Sequence, residues 1–246
     1  ADPNGSISGS SYAVFGRAPD AAVLRIGSRA KQAVQGGSFA DVLVAVASGD
    51  VLEGREGGDV LVGDSSTTAS YAHSSGAVIA NLATGTNTGD AAGDTFFGIA
   101  NLAGSTFADQ LTGDAKANVL TGGKGRDQLR GGAGKDFFAY RAAAESLPGA
   151  ANADVILDFE PGTASTFIDR IDLSAIDAKS AIGGNQAFTF RGTKAFTAPG
   201  QIRLRKSGAN VIVQGNTGGT TAPEFEIVLK GMAAKIVSIT AKDFKL

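Results

Sequence analysis

The sequence predicts an all-β protein, a parallel β-roll followed by a C-terminal β-rich cap domain. Three observations carry that expectation. A nine-residue period recurs in two blocks, glycine accounts for 35 of 246 residues, and the segments after the second block alternate apolar and polar side chains. Only 6 prolines accompany those glycines, a balance that favours tight turns over long helices. Hydrophobic residues make up 43% of the chain, enough to build a core.

Residues 1–35 stand ahead of the period. They are expected to cap the open end of the roll or to be the remnant of an upstream domain, with the natural chain continuing upstream. Within them the stretch SYAVFGR (11–17) resembles the last strand of an FG-GAP propeller repeat.

The roll itself is expected over 36–139, with an insert at 63–103. Stacked in nines from Gly36, the first block reads GGSFADVLV, AVASGDVLE and GREGGDVLV. Asp41, Asp50 and Asp59 fall in one column, and Leu43, Leu52 and Leu61 fall two places later. From Gly104 the register returns as GSTFADQLT, GDAKANVLT, GGKGRDQLR and GGAGKDFFA. Its acidic column holds Asp109, Asn118, Asp127 and Asp136; its apolar column holds Leu111, Leu120, Leu129 and Phe138.

Six residues of each repeat form a turn, with glycine where the backbone must approach closely or take positive φ. Three residues then form a short strand whose central side chain points inward. Two repeats complete one coil, so repeats i and i+2 stack as parallel strands, and only stacking makes a continuous core. Stacked turns also bring carboxylates and turn carbonyls of successive layers together. Such oxygen-rich surroundings suit calcium, which takes six to eight oxygen ligands, better than magnesium with its strict octahedron. The alternative is a solenoid whose Asp-Gly turns cap strands and bind nothing.

These repeats resemble the RTX (haemolysin-type) calcium-binding repeats, whose pattern is GGxGxDxUx. The resemblance implies a Ca2+ site between the turns of Asp109 and Asp127 and a second between those of Asn118 and Asp136. It also implies that Gly122, Gly123, Gly125, Gly131, Gly132 and Gly134 supply carbonyls or backbone room. A weaker third site would join Asp41 to Asp59. Asp50 sits in a repeat without paired glycines and is expected to have no stacked partner. Lys116, Lys124, Arg126 and Lys135 lie in the second block's turns and should weaken calcium binding modestly, since exposed charges are screened.

The insert at 63–103 resembles the hairpin-like excursion found between RTX blocks. Asp90 and Asp94 within it flank glycines and are expected to be solvated loop aspartates, with a ligand role as the alternative. His73, the only histidine, is expected at the surface or in a hydrogen bond, because a histidine zinc site needs several.

Residues 140–246 form the expected C-terminal β domain. A short helical turn over 140–146 should end at Pro148-Gly149. Beyond it, DVILDF (154–159), DRIDLSAID (169–177) and the strands up to EFEIVLKG resemble the C-terminal domain of serralysin-type secreted metalloproteases. In that family acids near the DxxxDF segment join the last calcium sites, which makes Asp154 and Asp158 further candidates. The ending TAKDFKL (240–246) resembles the C-terminal signal read by type I (ABC) exporters.

Several functions are excluded by what the chain lacks. It has no cysteine, hence neither disulfides nor thiolate metal sites, and no HExxH, GxSxG or P-loop motif. A net charge of −2 does not suit a nucleic-acid binder. No apolar run approaches the ~18 residues that span a bilayer. The reading is a monomeric, non-enzymatic, calcium-folded module of a secreted, extracellular bacterial protein, with calcium and the exporter as partners. The competing reading is a surface adhesin or a carbohydrate- or cell-binding module on the same roll.

Overall fold

The computed structural model describes residues 22–162, 168–218 and 221–246. The stretch likened to a propeller strand, 11–17, lies outside the described residues. The first strands in chain order are β1 (Leu24–Ile26), β2 (Ala33–Gln35), β3 (Val42–Val44), β4 (Val51–Glu53) and β5 (Val60–Val62). The insert contributes β6 (Thr68–Ser70), β7 (Ile79–Asn81), β8 (Thr95–Phe97) and β9 (Asn101–Ala103). The second block forms β10 (Gln110–Thr112), β11 (Val119–Thr121), β12 (Gln128–Arg130) and β13 (Phe137–Ala139). Then come β14 (Asp154–Ile156), β15 (Arg170–Asp172), β16 (Thr189–Phe190), β17 (Gln201–Ser207), β18 (Asn210–Asn216), β19 (Phe225–Leu229) and β20 (Phe244–Lys245).

One eight-stranded sheet, β2-β4-β6-β9-β11-β13-β15-β20, runs the length of the roll. Strands alternating with it form a four-stranded sheet, β1-β3-β5-β8, and a second eight-stranded sheet, β16-β17-β18-β19-β14-β12-β10-β7. Roll strands pair in parallel, and each repeat's central residue meets the central residue of the next layer. In the long sheet that column reads Val34, Leu52, Ala69, Leu102, Leu120, Phe138, Ile171 and Phe244. All of them are buried, and together with Leu43, Leu61, Leu111, Leu129 and Ile156 they form one core. Each such side chain contributes about 1.5–3 kcal/mol by leaving water. A three-residue strand therefore holds only because both neighbours cover its single inward side chain.

The period expected to open at Gly36 reaches further back, because β1 and β2 already pair in register with β3 and β4. Arg25 takes the inward column of β1 where β3 has Leu43, a substitution that hid this layer from a search for apolar columns. The insert is not one excursion. Its short strands fill roll positions, and only the stretch between Leu82 and Asp94 leaves the roll. β7 runs one layer ahead to pair with β10, and the chain then steps back so that β8 pairs with β5. That step splits one side of the roll into two sheets.

No break in topology marks residue 140. β14 and β15 extend both eight-stranded sheets, and the antiparallel strands β17, β18 and β19 continue one of them as a cap. β20 closes the other sheet against β15, with Phe244 buried beside Phe190 at a ring separation of 5.3 Å and Lys245 on Asp172 at 2.8 Å. The helical turn expected near 140–146 is a single 3-10 turn, Ala143–Glu145.

Candidate metal centre

Two edges of the roll carry the turns. One edge stacks 36–41 on 54–59, and 104–109 on 122–127; the other stacks 113–118 on 131–136. Every acid of the column is buried: Asp41, Asp50, Asp59, Asp109, Asn118, Asp127 and Asp136 are each at most 1% exposed.

Their first carboxylate oxygen has a constant job. Oδ1 accepts the backbone N–H of the column residue one coil earlier. Asp59 takes it from Asp41 at 2.7 Å, Asp127 from Asp109 at 2.8 Å, and Asp136 from Asn118 at 2.9 Å. Asp41 and Asp109, which have no acid before them, take it from Val23 and Val78.

The second oxygen separates two kinds of turn. In 36–41 and 104–109 the turn closes on itself: Asp41 Oδ2 accepts the Gly37 N–H at 2.6 Å, and Asp109 Oδ2 accepts the Ser105 N–H at 2.5 Å. Asn118 imitates this closure. Its Oδ1 accepts the Asp114 N–H at 2.8 Å, and its amide nitrogen donates to the Ala100 carbonyl at 2.8 Å. In 54–59, 122–127 and 131–136 the turn stays open, and Oδ2 of Asp59, Asp127 and Asp136 is buried without a hydrogen-bond partner.

These three open turns share a glycine at the fourth place, although Asp50 Oδ2 is also bare with Ser48 there. Gly57, Gly125 and Gly134 hold φ of 121, 127 and 131°, whereas the closed turns have Phe39, Phe107 and Lys116 there. A side chain at Gly125 or Gly134 would also collide with the carbonyl of Phe107 or Lys116 in the layer before. Gly123 and Gly132 face the Ser105 and Asp114 carbonyls in the same way, and a side chain at Gly122 or Gly131 would strike the open Oδ2 of its own turn. Each open turn thus faces a closed one across an interface lined by main-chain carbonyls and one unpartnered carboxylate oxygen.

The charges in these interfaces are uncompensated. Burial, with the neighbouring Asp94 and Asp41 charges, pushes Asp59 up to about 7. Burial, with Asp109 beside it, raises Asp127 to about 7, and burial raises Asp136 to about 6. An unpaired buried carboxylate is costly unless a cation meets it. No cluster of three or more His, Cys, Asp or Glu side chains exists among the described residues. The donors are therefore mostly carbonyls, a set that suits calcium and not zinc.

Three acids extend the columns where the nine-residue period is silent. Asp94, expected in solvent, is 2% exposed; its Oδ1 accepts the Asp59 N–H and its Oδ2 accepts the Tyr71 hydroxyl, both at 2.8 Å. Its position follows from β8 pairing with β5, which the 35-residue separation from Asp59 conceals. Asp154 accepts the Asp127 N–H at 2.8 Å, keeps a partnerless Oδ2 and is pushed up to about 8 by burial and the Asp127 charge. Asp169 accepts the Asp136 N–H at 3.1 Å and the Glu160 N–H at 2.7 Å. Asp158 spans the Gly131 and Gly132 N–H groups, both at 3.0 Å. Asp50 has a stacked partner after all: it accepts the Gln32 N–H at 2.9 Å from the unexpected layer 27–32, and its Oδ2 is also partnerless. Asp90 has no place in these columns, and His73 bonds Glu53 at 2.9 Å.

Residues 35–66 and 103–138 match the RTX calcium-binding nonapeptide repeat, in four copies. No curated protein matches the chain. Among solved structures, that of the AlgE6R2 subunit of the mannuronan C5-epimerase from Azotobacter vinelandii is similar at 24% identity, over 72% of this chain and 89% of that one, with a TM-score of 0.40. The AlgE6R3 subunit of the same epimerase is similar at 18% identity, over 89% of this chain and 79% of that one, with a TM-score of 0.33. The matched repeats bind Ca2+, and the parallel strand pairing makes the fold a β-roll. No helix among the described residues is long and apolar enough to cross a membrane.

Proposed function

We propose that this chain is a calcium-folded, non-catalytic module serving the export and extracellular folding of a secreted protein. The observation that carries the reading is the set of buried, partnerless Oδ2 atoms on Asp59, Asp127, Asp136 and Asp154. Without a cation these carboxylates oppose folding, and a glycine-rich chain has much backbone entropy to lose. Calcium held by the Asp127 and Asp136 carboxylates, with carbonyls such as those of Ser105, Phe107, Asp114 and Lys116, would neutralise the interface and join successive coils. An ion that binds only the folded state stabilises it by roughly 1.4 kcal/mol per site at tenfold excess over Kd.

Export fits the same physics. A low-calcium interior would leave the chain unfolded and threadable, and millimolar calcium outside would fold it. The ending likened to an exporter signal is part of the folded roll, with β20 paired to β15 and Phe244 buried. An exporter that reads those residues must then meet the unfolded chain. The serralysin-like character of 104–246 belongs to this proposal, as do the extracellular location and the monomeric state.

Melting followed by circular dichroism tests the calcium step. Millimolar CaCl2 should raise Tm and EGTA should lower it, with Kd of about 10⁻⁴–10⁻³ M and a much smaller response to magnesium. An EGTA-treated sample with an unchanged Tm would refute the reading.

A further inference from the structure

Along one edge of the roll the acids form two separate ladders. The first runs Asp41, Asp59, Asp94, and the second Asp109, Asp127, Asp154, each joined by Oδ1 bonds to the preceding N–H. The ladders do not meet, because the second starts from the Val78 N–H and the Asp94 N–H turns to Ala91.

Within a ladder the fate of Oδ2 follows position. The first acid, with no acidic layer before it, is closed by its own turn (Asp41, Asp109). Every later acid faces the turn before it with a bare Oδ2, as Asp59, Asp127 and Asp154 do. Asp94 breaks the rule. It has the open turn 54–59 before it, yet its Oδ2 accepts the Tyr71 hydroxyl at 2.8 Å.

Tyr71 follows β6 at the place where Gly36, Gly54, Gly104 and Gly122 follow their own strands. At Gly54, Gly104 and Gly122 a side chain would run into the acid of the same turn. A tyrosine is tolerated after β6 because the column acid arrives from residue 94, at the end of the excursion, and not from the same turn. The ring is 2% exposed, so its hydroxyl fills the interface without opening it to water. Tyr140 follows β13 in the same way. Its hydroxyl lies beside Asp154 but makes no aligned hydrogen bond, and Asp154 keeps its bare oxygen.

We propose that the Tyr71 hydroxyl takes the place of a calcium ion in the Asp59–Asp94 layer, so that the first ladder ends there and the two blocks load calcium independently. This inference rests on the calcium reading above and assigns one layer that the reading alone would fill. A phenol donates a single proton to one carboxylate oxygen and closes the layer without an ion once the chain has folded. In the folded chain the insert is then an ion-free joint between two calcium-dependent blocks.

The test compares calcium stoichiometry by isothermal titration, and Tm with CaCl2 or EGTA, for the full chain and its variants. Tyr71→Phe uncaps a buried carboxylate beside an open turn. It should lower Tm in EGTA by about 3–9 °C, bind one more calcium ion per chain and recover most of that Tm in CaCl2. Asp94→Asn should leave the wild-type stoichiometry unchanged, whereas Asp127→Asn should lose one ion. An Asp94→Asn chain that binds one ion fewer would overturn the proposal, even if Tyr71→Phe fails to fold. So would a Tyr71→Phe chain with unchanged stoichiometry and equal Tm loss in both buffers. A wild-type chain that binds no calcium would instead overturn the calcium reading itself.

Discussion

The two repeat blocks build the same coil with different turns. In the second block both open turns, 122–127 and 131–136, carry glycine at the second and fourth places. In the first block the only open turn of that form, 54–59, holds Arg55 at the second place with φ of 75°. Its neighbour 45–50 reverses through Gly49 at the fifth place, with φ of 79°. Both blocks nevertheless keep an inward apolar side chain in each repeat and an Oδ1-to-N–H bond at every aspartate of the column. The core and the ladder are what the coil requires, and both blocks keep two bare Oδ2 atoms, on Asp50 and Asp59 in the first and on Asp127 and Asp136 in the second. The blocks differ in the glycines around those atoms, not in their number.

The largest test of this contrast is pH in the absence of calcium. Asp127, Asp154 and Asp169 are raised to about 7, 8 and 7 and Asp136 to about 6, each chiefly by burial, against Asp59 at about 7 and Asp94 at about 6 nearer the first block. Raised folded-state values mean that the folded chain binds protons more tightly than the unfolded one. That stabilisation is complete below the ordinary carboxylate range and is lost as pH rises through about 6–8. In EGTA, hydrogen exchange at strands 119–138 should therefore slow on acidification from pH 8 to pH 5, more than at strands 42–62. With saturating calcium the trend should reverse, because protons compete with the ion. Equal pH responses of the two blocks would erase the distinction drawn here.

Next in size is Gly125→Ala, where a side chain meets both a φ of 127° and the Phe107 carbonyl. We expect a loss of roughly 1–3 kcal/mol from the strained backbone alone, together with weakened calcium binding. Gly49→Ala bears positive φ but has no contact closer than the 3.4 Å to Lys31, so its cost should stay near 1 kcal/mol with calcium binding intact. Chemical denaturation with and without calcium separates the two; similar calcium-dependent losses would show that the fourth-place glycine is not special.

Asn118→Asp should have a smaller, conditional effect. It replaces the amide that donates to the Ala100 carbonyl with an oxygen that repels it. In EGTA the variant should lose about 1–3 kcal/mol, and calcium should restore part of this. A loss that calcium does not reduce would mean that no ion reaches that layer. The smallest effect is expected of Arg55→Gly, which relieves a left-handed residue but loosens the unfolded chain. A net change within about 0.5 kcal/mol, measured by Tm, would fit these opposing terms.

Much of the candidate site was legible in the sequence where spacing is local. The columns of Asp41, Asp59, Asp109, Asn118, Asp127 and Asp136 follow from a nine-residue period, and the structure stacks them one coil apart. The layer at 24–35 was not legible, because Arg25 stands in the inward column and Gln32 in the acidic one. The partner of Asp50 is hidden for the same reason, since it is the Gln32 N–H of that layer. Asp94 flanks a glycine, but no nine-residue spacing ties it to Asp59, so its place in the column is not legible.

What the sequence by itself determined is the unit: a glycine-bearing turn, an acid at its end and one inward side chain, repeated at an interval short enough for local geometry to set the stacking. Tertiary structure alone decided where the columns start and stop. Asp94, Asp154 and Asp169 reach them across 35, 27 and 33 residues, by strand pairings with no periodic trace. Whether a carboxylate oxygen then meets a main-chain N–H, a tyrosine hydroxyl or a bare interface depends on which chain segment arrives opposite it. Those contacts are non-local, and the side chains that make them look ordinary until the sheets have brought them together.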